Sequence, residues 1–167
     1  MMWRTVFACV VIAVSACALP PEETRAAQSE AAAPGIAQIR SGLLVKINAF
    51  RAGKGLGALS LSPALNAAAQ AHAQDMAARA TLTHTGADGS DVGDRAGRAG
   101  YRFHEIAENV AQGQASVDAV MISWEKSPGH RANMLLPGVT DLGVGYAEGP
   151  ATGNIPGHYW VIVLGRP

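Results

Sequence analysis

The spacing of apolar positions changes along the chain. In its first half, beyond residue 35, they recur every three or four residues, the period of a helix with one buried face. This spacing predicts a helix over residues 36–50 and a second helix that begins at Ser62-Pro63, where Ser suits the N-cap and Pro the first turn. The inward positions of the two helices are Ile36, Ile39, Leu43, Ile47 and Phe50, then Leu65, Ala69, His72, Met76 and Ala80.

The second half of the chain mixes short helices with strands. Helical spacing returns in three segments, residues 91–99, 115–124 and 128–134. Alternation of apolar with polar or Gly residues predicts strands at 101–106, 142–146 and 158–164. The last two strands form a predicted hairpin with a long Gly- and Pro-rich connection. Helices precede strands instead of strictly alternating with them, so the pattern favours an α+β fold over a doubly wound parallel sheet.

The N-terminal segment has the features of an export signal. An apolar run from Val6 to Val14 follows Arg4 and is too short for a typical membrane-spanning helix. The run ends in Val14-Ser15-Ala16-Cys17, which resembles the lipobox of bacterial lipoproteins, in which the Cys is acylated. We interpret this segment as a signal peptide with lipidation at Cys17. The lipid is expected to tether the protein to the membrane.

Domain boundaries follow from this interpretation. Residues 1–17 are the predicted signal peptide, and residues 18–34, rich in Ala, Glu and Pro, are a predicted disordered tether. Residues 35–167 form one predicted domain in the bacterial cell envelope. Ala16 and Ala18 also suit an ordinary cleavage site, so a secreted or periplasmic soluble protein is the alternative.

Composition narrows the possible functions. The chain has 13 basic and 13 acidic residues among 167, and no Lys or Arg stripe, so a nucleic-acid partner is not expected. Its two cysteines, Cys9 and Cys17, both lie in the N-terminal segment. The domain therefore has neither a disulfide nor a thiol nucleophile.

Five histidines and one carboxylate are the candidates for chemistry. His72 lies on the inward face of the second helix and is predicted to be a core residue. His104, in a predicted strand, and His158, at a strand start, are assigned surface or packing roles. His84 and His130 lie at junctions between elements, where functional side chains are often presented. Glu108 stands in an otherwise apolar stretch, where a charge needs a partner or a task.

An ordered series of motifs covers nearly the whole domain. The most diagnostic motif is Trp-Glu-Lys-Ser-Pro-Gly-His-Arg-Ala-Asn-Met-Leu, from Trp124 to Leu135. The others are Asn48 and Arg51, Ala71-His72-Ala73, Asp75-Met76-Ala77, His84, Asp88-Gly89, Arg95, Gly100-Tyr101, Ala107-Glu108-Asn109-Val110-Ala111, residues 140–146 and residues 159–165. In this order they resemble the bacterial form of the CAP superfamily, the SCP or PR-1-like domain.

The resemblance implies a fold and a site. The fold is an α-β-α sandwich, with a central, mainly antiparallel sheet between helical layers. The family's cleft holds two His and two acidic residues, and His84, Glu108 and His130 match three of them. Glu125 or the position of Ser127 is the candidate for the fourth. Family members bind Zn²⁺ in this cleft, so His84 and His130 are the implied metal ligands.

Three functions remain open from the sequence. One is a non-catalytic envelope module that binds a lipid, glycan, peptide or protein. Another is a metal-assisted hydrolase of a peptide or cell-wall bond, with Glu108 as general base. The third is a structural envelope component in which the His and Glu side chains only stabilise the fold.

We predict that Cys17 is lipidated and that Cys9 is not retained, because a lipobox-like sequence ends the short apolar run. Cys17→Ser should move the protein from the membrane to the soluble fraction or leave it unprocessed. Mass spectrometry of the mature N-terminus checks this, and an unmodified N-terminus at Leu19 would contradict it.

Overall fold

The computed structural model describes residues 35–167. The predicted signal peptide (1–17), the tether (18–34) and Cys17 lie outside the described residues. The elements follow in the order α1 (Ile36–Ala52), β1 (Ser60–Leu61), α2 (Pro63–Arg79), α3 (Val92–Arg98), β2 (Glu105–Gln112), α4 (Val117–Lys126), α5 (Pro128–Met134), β3 (Asp141–Glu148) and β4 (His158–Arg166). Within this part of the chain, every helix is too short or too polar to cross a bilayer.

Local sequence explains where the helices begin. The Ser62 hydroxyl accepts a hydrogen bond from the Leu65 N–H and caps α2, and Pro63 occupies its first turn. Ser116 caps α4 in the same way through the Ala119 N–H. The helix starts predicted from Ser-Pro pairs, at residues 63 and 128, are therefore confirmed.

The four strands form one sheet in the order β1-β3-β4-β2. The predicted hairpin is confirmed: β3 and β4 are antiparallel, with Leu142 opposite Leu164. Strand β2 pairs antiparallel with β4, and the two-residue β1 pairs parallel with β3. The sheet is thus mainly antiparallel, as the resemblance implied.

The strand predicted at residues 101–106 is wrong in its bounds. Strand β2 runs from Glu105 to Gln112, so His104 precedes the strand instead of lying within it. Tyr101 lies outside the strand but is still buried, and its hydroxyl donates a hydrogen bond to Asp141 across 2.6 Å. Residues 108–112 are buried on both faces of the sheet. They therefore lack the alternation of apolar and polar residues from which a strand is recognised.

Helices cover both faces of the sheet. In β4, Trp160, Ile162 and Leu164 share one core with residues of α1, α4 and α5. The intervening residues Tyr159, Val161 and Val163 share a second core with α2 and α3. Because successive side chains of a strand point to opposite faces, this one strand contributes to both cores. The α-β-α sandwich is therefore confirmed.

Helix α2 lies directly against β3. A Cβ atom at Gly145 would stand 2.2 Å from the Ala69 carbonyl oxygen, and one at Gly143 would stand 2.3 Å from that of Leu65. Side chains of α2 also bond the strand: Asn66 accepts from the Val144 N–H, and Gln70 both donates to and accepts from the Tyr146 backbone. The two glycines permit this approach.

We predict that Gly145→Ala lowers the free energy of unfolding by about 3 kcal/mol, because the added methyl group meets the backbone of α2 and not a movable side chain. The control is Gly97→Ala in α3, where a Cβ meets no atom within 4 Å. That change should raise stability by about 0.5–1 kcal/mol, since Ala suits a helix better than Gly. Urea denaturation followed by tryptophan fluorescence measures both, and equal effects would contradict the close packing.

Candidate functional site

Glu108 lies in the middle of β2 and is only 7% exposed. It pairs with Val163 in the sheet, so its side chain points to the face covered by α2 and α3. One carboxylate oxygen accepts from Nη2 of Arg95 at 2.7 Å, and the other lies 2.9 Å from Nδ1 of His84. Both oxygens of the buried carboxylate are thus engaged.

Arg95 is the charge partner that Glu108 was expected to need. It lies on α3, is 8% exposed, and also donates through Nη1 to the Ser90 carbonyl oxygen at 2.8 Å. The sequence patterns indicated no role for Arg95, although Arg95 is among the matching motifs. The sequence feature that could have indicated its role is the position of Arg95 next to the inward-facing Ala96 on a short helix.

His84 reaches Glu108 from the loop that follows α2. Ala80 ends α2 in a left-handed conformation, with φ of 48°, and turns the chain towards the sheet. His72 then holds the loop, because its Nε2 lies 2.8 Å from the Thr83 carbonyl oxygen. His72 is 1% exposed, so its prediction as a core residue is confirmed.

The hydrogen-bond partners of His72 and His84 indicate which ring nitrogen of each carries a hydrogen. Burial lowers the pKa of His72, and the Glu108 carboxylate offsets part of that shift, so the His72 ring is neutral at neutral pH. Its Nε2 carries the hydrogen, because a carbonyl only accepts. A carboxylate also only accepts, so Nδ1 of His84 donates to Glu108. In a neutral His84 ring, Nε2 keeps its lone pair. The His84 side chain is 60% exposed.

His130 lies in the first turn of α5, beside the outer edge of β2. The fully buried Asn109 donates to the His130 carbonyl oxygen at 2.9 Å. Asn133 of α5 donates in turn to the carbonyl oxygen of Glu108 and to the side chain of Asn109. These amides join α5 to the strand that carries Glu108. Sequence reasoning quoted both asparagines in motifs but gave them no role.

The pKa of His130 is lowered. Burial lowers the pKa of His130, and the charge of His84 lowers it further. The structure therefore brings His84 into contact with Glu108, whereas the His130 side chain makes no hydrogen bond or ion pair within residues 35–167. A His130 ring with a lowered pKa is neutral at neutral pH, the form that binds metals.

The two candidates for the fourth cleft position are Glu125 on α4 and Ser127 at the start of α5. Glu125 lines a groove between α1 and α4 together with Lys46 and Phe50. Ser127 occupies the N-cap of α5, but its side chain makes no capping hydrogen bond. Trp124, just before them, is fully buried, and its Nε1 donates to the Val110 carbonyl oxygen.

The described residues contain no complete set of protein ligands for a metal ion. Among residues 35–167, no group of three or more His, Cys, Asp or Glu side chains is arranged to hold a metal ion. Glu108 is turned towards Arg95 and orients His84 from behind. A carboxylate that accepts from the far nitrogen of a histidine is the usual support of a metal-binding imidazole. Glu108 therefore orients the imidazole of His84, and a metal shared by His84 and His130 stays a prediction.

Comparisons with known proteins agree with this architecture. Residues 44–164 match the model of the CAP family, described as the cysteine-rich secretory protein family, and the chain belongs to this family. The uncharacterized protein YkwD of Bacillus subtilis is 35% identical over 101 residues. That match covers 60% of this chain and 39% of YkwD, so the chain matches well under half of that relative's length.

Solved structures show the same fold. An extracellular protein with an SCP domain from Bacillus anthracis superposes with a TM-score of 0.65 at 26% identity, covering 78% of this chain and 42% of that one. An outer surface protein of Borrelia burgdorferi superposes with a TM-score of 0.68 at 22% identity, covering 80% and 96%.

We predict that Glu108→Gln lowers the free energy of unfolding by about 3–5 kcal/mol, because it leaves the buried Arg95 guanidinium without its counter-charge. Asp118→Asn is the matched control. It removes the carboxylate of an exposed pair with Lys46 and should cost less than about 1 kcal/mol. Urea denaturation measures the free energy of unfolding of both variants. A similar loss in the two would show that the buried Glu108–Arg95 pair stabilises the fold no more than the exposed pair does.

Proposed function

We propose that this protein is an exported, non-catalytic binding module of the bacterial envelope whose cleft holds a divalent metal, with Zn²⁺ as the best candidate. The observation that carries the proposal is the hydrogen bond that Nδ1 of His84 donates to the Glu108 carboxylate. It orients the ring and leaves Nε2 for a ligand, and burial lowers the pKa of His130, which keeps that ring in the neutral form that a metal requires. A bound Zn²⁺ would supply a positive charge with open coordination positions for a donor atom of a partner.

Export is supported by the names of the structural relatives. One is described as an extracellular protein and another as an outer surface protein. The lipobox-like sequence at Cys17 supports a lipid anchor as the link to the membrane. The proposed partner is a lipid, glycan, peptide or protein of the envelope, and the balanced charge gives no support for nucleic acid.

The environment of Glu108 favours binding over hydrolysis. A general base must accept a proton from a water molecule within hydrogen-bonding reach. Both oxygens of Glu108 already accept hydrogen bonds, one from the buried Arg95 and one from His84. Glu108 is therefore assigned a positioning role.

Zinc titration calorimetry tests the metal site. The wild-type chain should bind Zn²⁺, and His84→Ala and His130→Ala should each abolish measurable binding, because either change leaves one imidazole. His104→Ala is the matched control, since His104 is exposed and precedes β2, and it should bind as the wild type does. Absence of binding in the wild type would favour a purely structural role for the cluster. Zn²⁺-dependent cleavage of a peptide or of cell wall that is lost in His84→Ala would instead establish a hydrolase.

A further inference from the structure

Side chains of α2 hold the backbone on both sides of His84. The Thr83 carbonyl oxygen accepts a hydrogen bond from Nε2 of His72 at 2.8 Å. The Thr85 carbonyl oxygen accepts one from Nη2 of Arg79 at 3.1 Å. Because 60% of the His84 side chain is exposed, its own packing restrains it little, and the contacts of its two neighbours fix where the residue lies.

Asp75 connects the contacts that follow His84. Its carboxylate forms a two-point ion pair with Arg79, one turn further along α2, and one of its oxygens also accepts from the Ala87 N–H at 3.1 Å. The Arg79 side chain is 34% exposed, and a long exposed side chain has much rotamer freedom to lose. The ion pair restricts that freedom and keeps the guanidinium on Thr85. Asp75 therefore holds the loop directly at Ala87 and through Arg79 at Thr85.

Asp75 is ionised at neutral pH. Burial acts to raise the pKa of Asp75, but the hydrogen bonds from Arg79 and from the Ala87 N–H together outweigh burial, and the pKa lies below its ordinary value. Hydrogen bonds to a carboxylate are stronger than those to a neutral acceptor. The two contacts of Asp75 are therefore charge-assisted.

An alanine-lined cavity separates part of this loop from α2. It has a volume of about 400 Å³ and lies between α2, α3 and the turn at residues 86–90. Asp75 lines it together with five alanines, which are Ala67, Ala68, Ala71, Ala87 and Ala99. Because the turn faces α2 across open space, the polar contacts of Asp75 take the place of packed side chains there.

We infer that Asp75 is the positioning residue of His84. By holding residues 85 and 87, it keeps Nδ1 of His84 on the Glu108 carboxylate and leaves Nε2 free. The inference rests on the proposed function only in taking His84 as a residue that binds a ligand. A ring that is already held in place loses less conformational entropy when a ligand binds to it.

The tautomer of His84 measures this position, because a ring that donates to Glu108 carries its hydrogen on Nδ1. The full-length chain with ¹⁵N-labelled histidine is followed by NMR with a chelator present, at about pH 8, above the ordinary range of imidazole pKa values. The His84 signals are those that His84→Ala lacks. In Asp75→Ala, the ratio of the Nδ1–H to the Nε2–H tautomer of His84 should fall by about tenfold, as expected when a hydrogen bond to a carboxylate is lost.

Two further variants separate positioning from stability. Arg79→Met keeps an apolar stem but removes the bond to Thr85, so it should lower the same ratio. Ser62→Ala is the matched control: it removes the N-cap of α2 and weakens the same helix, but the Ser62 hydroxyl bonds only within that helix. The ratio should therefore keep its wild-type value in Ser62→Ala. Circular dichroism checks that all three variants fold.

An unchanged ratio in folded Asp75→Ala, or an equal fall in Ser62→Ala, would overturn the inference. Because the tautomer is measured without metal, the result does not depend on zinc binding. Absence of Zn²⁺ binding in the wild type would contradict the proposed function alone, and a normal tautomer ratio in Asp75→Ala would contradict this inference alone.

Discussion

The close approach of α2 to β3 is the constraint on which the site depends. Gly143 and Gly145 bring the helix backbone against the strand, and Asn66 and Gln70 bond the strand at Val144 and Tyr146. Four residues of a helix advance about 6 Å, and two residues of a strand advance about 6.8 Å. The side-chain amides of Asn66 and Gln70 therefore match the backbone groups of Val144 and Tyr146. With α2 held in this register, the loop after it delivers His84 to β2.

The buried carboxylate of Glu108 links the elements around the cleft. Its side chain joins α3 through Arg95 and the loop after α2 through His84, while its backbone carbonyl joins α5 through Asn133. Removing a charge from water is costly unless it is paired and hydrogen-bonded, and here both conditions are met. A single residue thus sets the position of His84 and helps to set that of α5, which carries His130.

Arg95 is common to the cleft and to the alanine-lined cavity. It borders the cavity, and its guanidinium holds the carboxylate that orients His84. The fold therefore separates two environments with one buried ion pair. The cavity is lined by five alanines and by charged side chains of α2, α3 and the turn at residues 86–90.

Local sequence alone determined the helices, the β3–β4 hairpin and the core position of His72, because caps and apolar spacing act over a few residues. The resemblance in motifs added the fold family and the three cleft residues. Only the tertiary structure decided the bounds of β2 and the pairing of Arg95 with Glu108. A strand buried on both faces has no alternation, and a contact between α3 and β2 depends on how distant segments pack.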